Sequence, residues 1–237
     1  MQVKTQAIVL SALRYQEKSL IVKCLTKDFG LKTYFIRNAF SKQQKGLNSA
    51  YFQPLNQLFV EAIHKNKGSM EYINELKLMY PYQTISQDFY KTSVSIFLAE
   101  VLSNCIKEEQ ANAELYLFLE TSLIWFDEHD FTADFHLWFL LNVTKYLGFY
   151  PEDSDEESLY FNPMEGSFTN QYVSECFNEE ETVLFRKLLN IPFSSKQSLL
   201  KNAERRNLLK LVLRYYEIHI VNFKQIKSLE ILPELFQ

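Results

Sequence analysis

The period of the hydrophobic pattern changes once along the 237 residues, at Tyr80-Pro81-Tyr82. Before that point apolar residues alternate in short runs; after it they recur three and four apart. Alternation places successive side chains on opposite faces of a strand, whereas three- and four-residue spacing lines one face of a helix. A chain patterned this way is α+β, with strands and helices segregated along the sequence. The expected division is a barrel domain over residues 1–80 and a mostly helical domain over residues 81–237.

Five β segments are predicted, at residues 3–10, 20–25, 31–37, 58–64 and 70–78. In the first, Ile8 and Leu10 fall on the same side as Lys4 and Gln6. In the second, Leu20, Val22 and Cys24 share a face, with Ile21, Lys23 and Leu25 opposite. Lys27-Asp28-Phe29-Gly30 reads as a tight turn, and Lys65-Asn66-Lys67-Gly68 as the reversal of a later hairpin. Five strands in about 75 residues without a long helix suit a small five-stranded barrel of the oligonucleotide-binding (OB) kind.

Helices are predicted at 86–107, 112–128, 132–147, 178–190 and 195–221, with a last turn or two in 228–236. Thr132 is the predicted N-cap of the third and Gly148 its C-terminal stop. The stretch 151–176 is irregular. It opens on the acids Glu152 to Glu157 and contains a short hairpin around Asn162 to Gly166. The richest apolar stretch, 135–150, is interrupted by His136, Asn142 and Lys145 and is too short and polar to span a membrane.

The formal net charge of −4 conceals three blocks. Residues 1–80 carry 12 Lys/Arg against 5 Asp/Glu, residues 81–181 carry 3 against 20, and residues 182–237 carry 10 against 4. A basic head, an acidic middle and a basic tail imply different partners for different surfaces. In the barrel the candidate DNA contacts are Arg14, Lys18, Lys23, Lys32, Arg37, Lys42 and Lys45, with Lys4 and Lys27 in the same basic set. Tyr34, Phe35, Tyr51, Phe52 and Phe59 are candidate stacking rings. A positive groove with aromatic platforms holds single strands without reading sequence. In the last long helix, Arg206, Lys210 and Arg214 stand at i, i+4 and i+8, with Arg205 near the start. That second basic site suits DNA phosphates or an acidic peptide, and equally suits pairing with the acidic middle.

No catalytic constellation emerges. None of the four histidines sits in an H-x-x-x-H pair or beside a candidate nucleophile, and the three cysteines, Cys24, Cys105 and Cys176, lie far apart with no C-x-x-C pair. The odd count speaks against a disulfide framework and for a reducing cytoplasm; the N-terminus has no signal-peptide run. Phosphate-binding and nucleophile motifs are missing. The acids at 153–157 are expected in a solvated loop rather than around a nuclease metal. No enzyme activity, cofactor or metal is expected. A helical interaction scaffold without direct DNA binding is the alternative.

An ordered series of segments resembles one known family. Ala7 to Leu10, Glu17 to Val22, Leu25-Thr26 and Gly30 look like the first barrel strands of the bacterial recombination mediator family RecO. Arg37, Gln53-Pro54, Phe97 to Leu102, Leu147 to Pro151, Tyr215-Tyr216, His219 and Lys227 to Glu230 continue the match. The resemblance implies a protein that binds single- and double-stranded DNA and anneals complementary strands. It implies contacts with the acidic tail of single-strand-binding protein (SSB) and with RecR, and possibly RecF, in helping to load RecA. Location would be cytoplasmic, at the nucleoid. Many members carry a four-cysteine zinc site before the last helices. Here 151–176 holds one cysteine, so the zinc is expected to be missing and the hairpin to be held by packing.

Overall fold

The computed structural model describes residues 1–40, 47–65, 70–107, 110–152, 157–192, 195 and 197–230. Its N-terminal sheet comprises β1 (Gln2–Tyr15), β2 (Ser19–Thr26), β3 (Gly30–Ile36), β4 (Gln57–Ile63) and β5 (Tyr72–Tyr80). The strand order is β3-β2-β1-β4-β5, with all neighbours antiparallel. The two edges then meet: Glu71 N–H donates to Thr33 O at 2.8 Å, and Phe35 N–H to Glu71 O at 2.9 Å. That parallel junction closes the sheet into a five-stranded OB-fold barrel. Inward-facing Val3, Ala7, Val9, Val22, Cys24, Tyr34, Val60 and Ala62 fill it. At the β2–β3 turn Gly30 adopts φ 63°, where a side chain would be strained.

β1 runs five residues past its predicted end and carries a bulge. Its pairing with β2 shifts register between Val9 and Ser11. One extra residue swaps the faces of everything beyond it. Val9 pairs with Cys24 and Ala12 with Val22 on the inner side, so Leu13 and Tyr15 turn outward. Without the bulge they would share the inner parity of Ala7 and Val9.

Helices α1 (Phe89–Cys105) and α2 (Ala113–Glu128) follow, then α3 (Phe135–Leu147), α4 (Glu179–Leu189) and α5 (Asn202–His219). A two-stranded hairpin, β6 (Tyr160–Asn162) with β7 (Ser167–Thr169), lies between α3 and α4. The chain forms two compact units, Met1–Glu128 and His129–Gln237. The change of secondary structure near residue 81 is therefore not where the first unit ends; α1 and α2 belong with the barrel. Helix α1 packs against β1, and Ile8 and Leu10 are buried although they lie outside the barrel core. The connecting residues are pinned by Asp127, whose carboxylate accepts the backbone N–H groups of Gln83, Thr84 and Ile85 at 2.8–2.9 Å. Lys91 Nζ donates to Thr84 Oγ1 at 2.6 Å and to Asp127 O at 3.1 Å. Gln57 Nε2 reaches both Tyr82 Oη and Glu120 O.

In the second unit Asp134, not Thr132, is the N-cap of α3, and its side chain makes no cap hydrogen bond. The carboxylate is committed elsewhere: Oδ2 accepts Leu199 and Leu200 N–H, and Oδ1 lies 3.1 Å from Arg205 Nη1. Gly148 ends α3 in the left-handed conformation, as predicted. Asn178 and Glu181 form a capping box on α4.

Candidate nucleic-acid interface

The outer face of β1–β2–β3 brings aromatic, apolar and cationic side chains together. Cross-strand pairing aligns Leu13 with Ile21 and Ile21 with Phe35, with Lys23 beside Ser11 and Thr33 in the next row. Tyr15 meets Phe35 edge to face at 5.9 Å, and Phe35 meets Tyr72 at 6.4 Å. Leu13 is 64% exposed and Tyr15 43%. Cations border this row. Arg37 stands 5.9 Å and Lys65 5.1 Å from the Tyr72 ring centroid; Arg14, on the other face of β1 opposite Leu20, lies 4.9 Å from that of Phe40.

Local chemistry holds these groups in place. Arg14 Nη2 donates to Glu17 O at 2.9 Å across the β1–β2 turn, which also presents exposed Lys18. Lys65 is anchored through its backbone N–H, which donates to Glu71 Oε2 at 2.7 Å. Beneath the face, Tyr34 Oη and His64 Nε2 share a hydrogen bond at 2.9 Å, both residues being buried. Burial lowers the His64 pKa, with Glu71 opposing and Lys32 assisting, so the ring is neutral at physiological pH.

Several predicted site residues stand elsewhere. The structure places Lys23 and Arg37 at the aromatic row and Lys18 in the β1–β2 turn, whereas Arg14 has the opposite parity to Leu13 and Tyr15, stands opposite Leu20 and packs on Phe40. Lys32 is a correction: at 8% exposure it lies on the inner side with Tyr34 and Ile36. Its parity in β3 fixes that direction whatever its charge. Lys42 and Lys45 lie outside the described residues. Lys4 is paired with Glu61 at 2.6 Å. Among the rings, Tyr34 and Phe52 are core, while Phe35, Tyr51 and Phe59 are half-buried. The bulge brings in Tyr15, and barrel closure brings in Tyr72 and Lys65. The composition of the β4–β5 loop signals the lysine; nothing local signals the bulge.

The second basic set divides. Arg206 and Lys210 are exposed on α5, with Lys210 at a groove of about 840 Å³ that α4 and α5 enclose. Glu179, Glu180 and Glu181 lie at that groove too, and Lys187 pairs with Glu204 at 2.9 Å. Arg214 donates to Glu175 O at 2.9 Å and lies 5.6 Å from the Phe177 ring centroid. Arg205 is a further correction. It is 6% exposed and bound to Asp134, Leu200 O and Asn202, so its guanidinium is a structural group of the interior.

The residues around the hairpin do not fit a zinc ion. Among the described residues no group of three or more His, Cys, Asp or Glu is placed to hold a metal. Cys176 is buried, and aromatic rings pack around the hairpin. Phe161 packs on Phe168, Phe177 and Phe185 at 5.0, 5.3 and 4.7 Å, with Tyr215 at 5.6 Å. His219 stacks on Phe149 at 4.7 Å and donates from Nε2 to Pro163 O. Of the acids at 153–157, only Glu157 is among the described residues. No described helix is long and apolar enough to cross a membrane.

Comparison with known proteins agrees with this architecture. Residues 1–82 match the family model for the N-terminal part of recombination protein O, and residues 86–230 that for its C-terminal part. The DNA repair protein RecO of Flavobacterium johnsoniae is 48% identical over 236 residues, with both chains covered in full. That of Flavobacterium psychrophilum is 48% identical over 237 residues, again at full coverage. The protein of the same name from Christiangramia forsetii is 39% identical over 241 residues. Matched across both its parts and over its full length, this chain belongs to the RecO family of DNA repair proteins.

Proposed function

We propose that this chain is a non-enzymatic recombination mediator whose barrel binds single-stranded DNA along β1–β2–β3. The observation that carries the reading is the Tyr15–Phe35–Tyr72 row bordered by Lys23, Arg37 and Lys65. Rings offer stacking surfaces to any base, and cations neutralise phosphates. Double-stranded DNA is held through its phosphates alone. Annealing follows from the same physics: screening the repulsion between two strands on one surface lets complementary bases meet, with no covalent step. The exposed cations of α5, Arg206 and Lys210, receive the acidic tail of SSB. With RecR, and in some settings RecF, the protein then helps RecA onto coated strands. This work takes place in the cytoplasm, at the nucleoid.

The test is strand annealing by the purified protein without nucleotide or metal. Labelled single-stranded DNA, bare and then coated with the cognate SSB, is titrated alongside over a salt series. Affinity should fall steeply with salt, and annealing should persist in EDTA. Negligible binding of bare DNA at moderate salt, with binding to coated DNA retained, would overturn the barrel assignment and leave an interaction scaffold. Cleavage that EDTA abolishes would overturn the non-enzymatic reading.

A further inference from the structure

Phe35, Tyr72 and Lys65 each stand one bond, hydrogen or covalent, from Glu71, the residue at which the barrel closes. The Glu71 N–H donates to Thr33 O at 2.8 Å, and its C=O accepts the Phe35 N–H at 2.9 Å. Its peptide bond leads into Tyr72, whose ring meets that of Phe35 at 6.4 Å. Its side-chain Oε2 accepts the Lys65 N–H at 2.7 Å. Lys65 lies two residues past the end of β4, beyond the ladder that β4 forms with β5. Its Nζ nevertheless stands 5.1 Å from the Tyr72 ring centroid.

Glu71 is 3% exposed and takes the face opposite to Tyr72, so it touches no strand lying along the outer row. Burying a carboxyl group in this way is costly. Its charge gives the site no advantage: Glu71 and Lys32 bear on buried His64 with opposite sign, and a negative charge beneath the face opposes phosphate. What the side chain supplies is reach. A ladder fixes backbone only where a partner strand runs alongside, and Lys65 lies past that limit. The carboxyl oxygen stands in for the missing strand.

We propose that Glu71 is a positioning residue of the single-strand surface. Its side chain fixes the Lys65 backbone and thereby holds the ammonium group beside Tyr72, ready for the phosphate next to a stacked base. Affinity rises because that geometry is set before DNA arrives. This role rests on the barrel reading above and concerns one end of that surface.

Two substitutions separate reach from charge. Glu71→Gln keeps an oxygen at the same reach and drops the charge; Glu71→Asp keeps the charge and withdraws the oxygen by one methylene. Both full-length variants, with and without Lys65→Gln, are titrated against labelled oligothymidylate across a salt series by fluorescence anisotropy. The temperature is one at which circular dichroism shows them folded. Glu71→Gln should bind within about twofold of the parent protein, and Glu71→Asp about three- to tenfold more weakly. Lys65→Gln should weaken the parent and lower its salt slope by about 1, but should cost the Glu71→Asp protein little further. Should Glu71→Asp fail to fold, Glu71→Met, which occupies a similar volume without an oxygen, takes its place. Parental affinity in Glu71→Asp, even with a lowered urea midpoint, would make Glu71 a residue of fold stability and overturn the proposal. An equal loss in Glu71→Gln, or a full Lys65→Gln cost in both backgrounds, would overturn it too. If Lys65→Gln and Tyr72→Ala both left the parent's affinity unchanged, the barrel reading itself would fall, and this role with it.

Discussion

Tyr72 offers its ring to Arg37 at 5.9 Å and to Lys65 at 5.1 Å, so stacking and charge can be separated at one place. Tyr72→Ala should weaken single-stranded DNA binding by about 1–3 kcal/mol while leaving the salt slope close to the parent value. Arg37→Gln should lower the slope of log affinity against log salt by about 1. Fluorescence anisotropy over a salt series measures both, and an unchanged slope in Arg37→Gln would remove that residue from the phosphate contacts. Burial gives other charges a different meaning. In the Asp134–Arg205 pair the side chains are 4% and 8% exposed. Asp134→Ala strands a buried guanidinium and should cost about 3–5 kcal/mol in urea unfolding. A loss below about 1 kcal/mol, the scale of an exposed pair, would show that water reaches Arg205. Both Arg205 and Lys32 look like surface cations in the sequence, because burial of a long charged side chain depends on partners distant in the chain. Asp134 precedes Arg205 by 71 positions.

Secondary-structure elements were more legible than the charges on them. Alternation, the Lys27-to-Gly30 turn and the helical spacing after Tyr82 locate all five barrel strands and the long helices, because each signal is local. The bulge in β1 is not readable in this way. Inserting one residue leaves no compositional trace, yet it carries Leu13 and Tyr15 to the outer face. The α3 cap shifted from Thr132 to Asp134 for a related reason: two cap-capable residues stand close together, and tertiary demand for the Asp134 carboxylate decides their roles. Asp127 shows how much such a carboxylate can organise. Burial raises its pKa, but the N–H groups of Gln83, Ile85 and Thr84 outweigh that and hold it below the ordinary 3.8. A carboxyl depressed in the folded state contributes stability above its unfolded pKa and loses it as pH falls through the folded value. Asp127→Ala should therefore cost about 1–3 kcal/mol at neutral pH, and the difference from the parent protein should shrink below pH 3.8. Urea midpoints from pH 7 down to pH 3 measure this; a constant difference would mean that the carboxylate's charge plays no part.

At the scale of the whole molecule, the unit that folds and the unit that binds need not share a boundary. The change from strand to helix near residue 81 is the boundary of the pattern, whereas compactness extends the first unit to Glu128. The cause is visible on β1: Ile8 and Leu10 are 0% and 1% exposed without belonging to the barrel interior, and α1 packs against that strand. Gln57 in β4 adds a polar tie, since its amide reaches Glu120 O in α2 at 3.1 Å. A fragment ending at Tyr82 keeps every barrel strand but uncovers Ile8 and Leu10 and leaves the Gln57 amide without Glu120. Burying one such side chain is worth about 1.5–3 kcal/mol, a large share of the margin by which a domain of this size folds. Fragment 1–128 should thus unfold in a single cooperative transition and retain single-stranded DNA binding. Fragment 1–82 should unfold at lower denaturant and self-associate through the bared strand face. Circular dichroism in urea with light scattering distinguishes the two. If 1–82 proved as stable and as monodisperse as 1–128, α1 would be a passenger on the barrel and not part of its core.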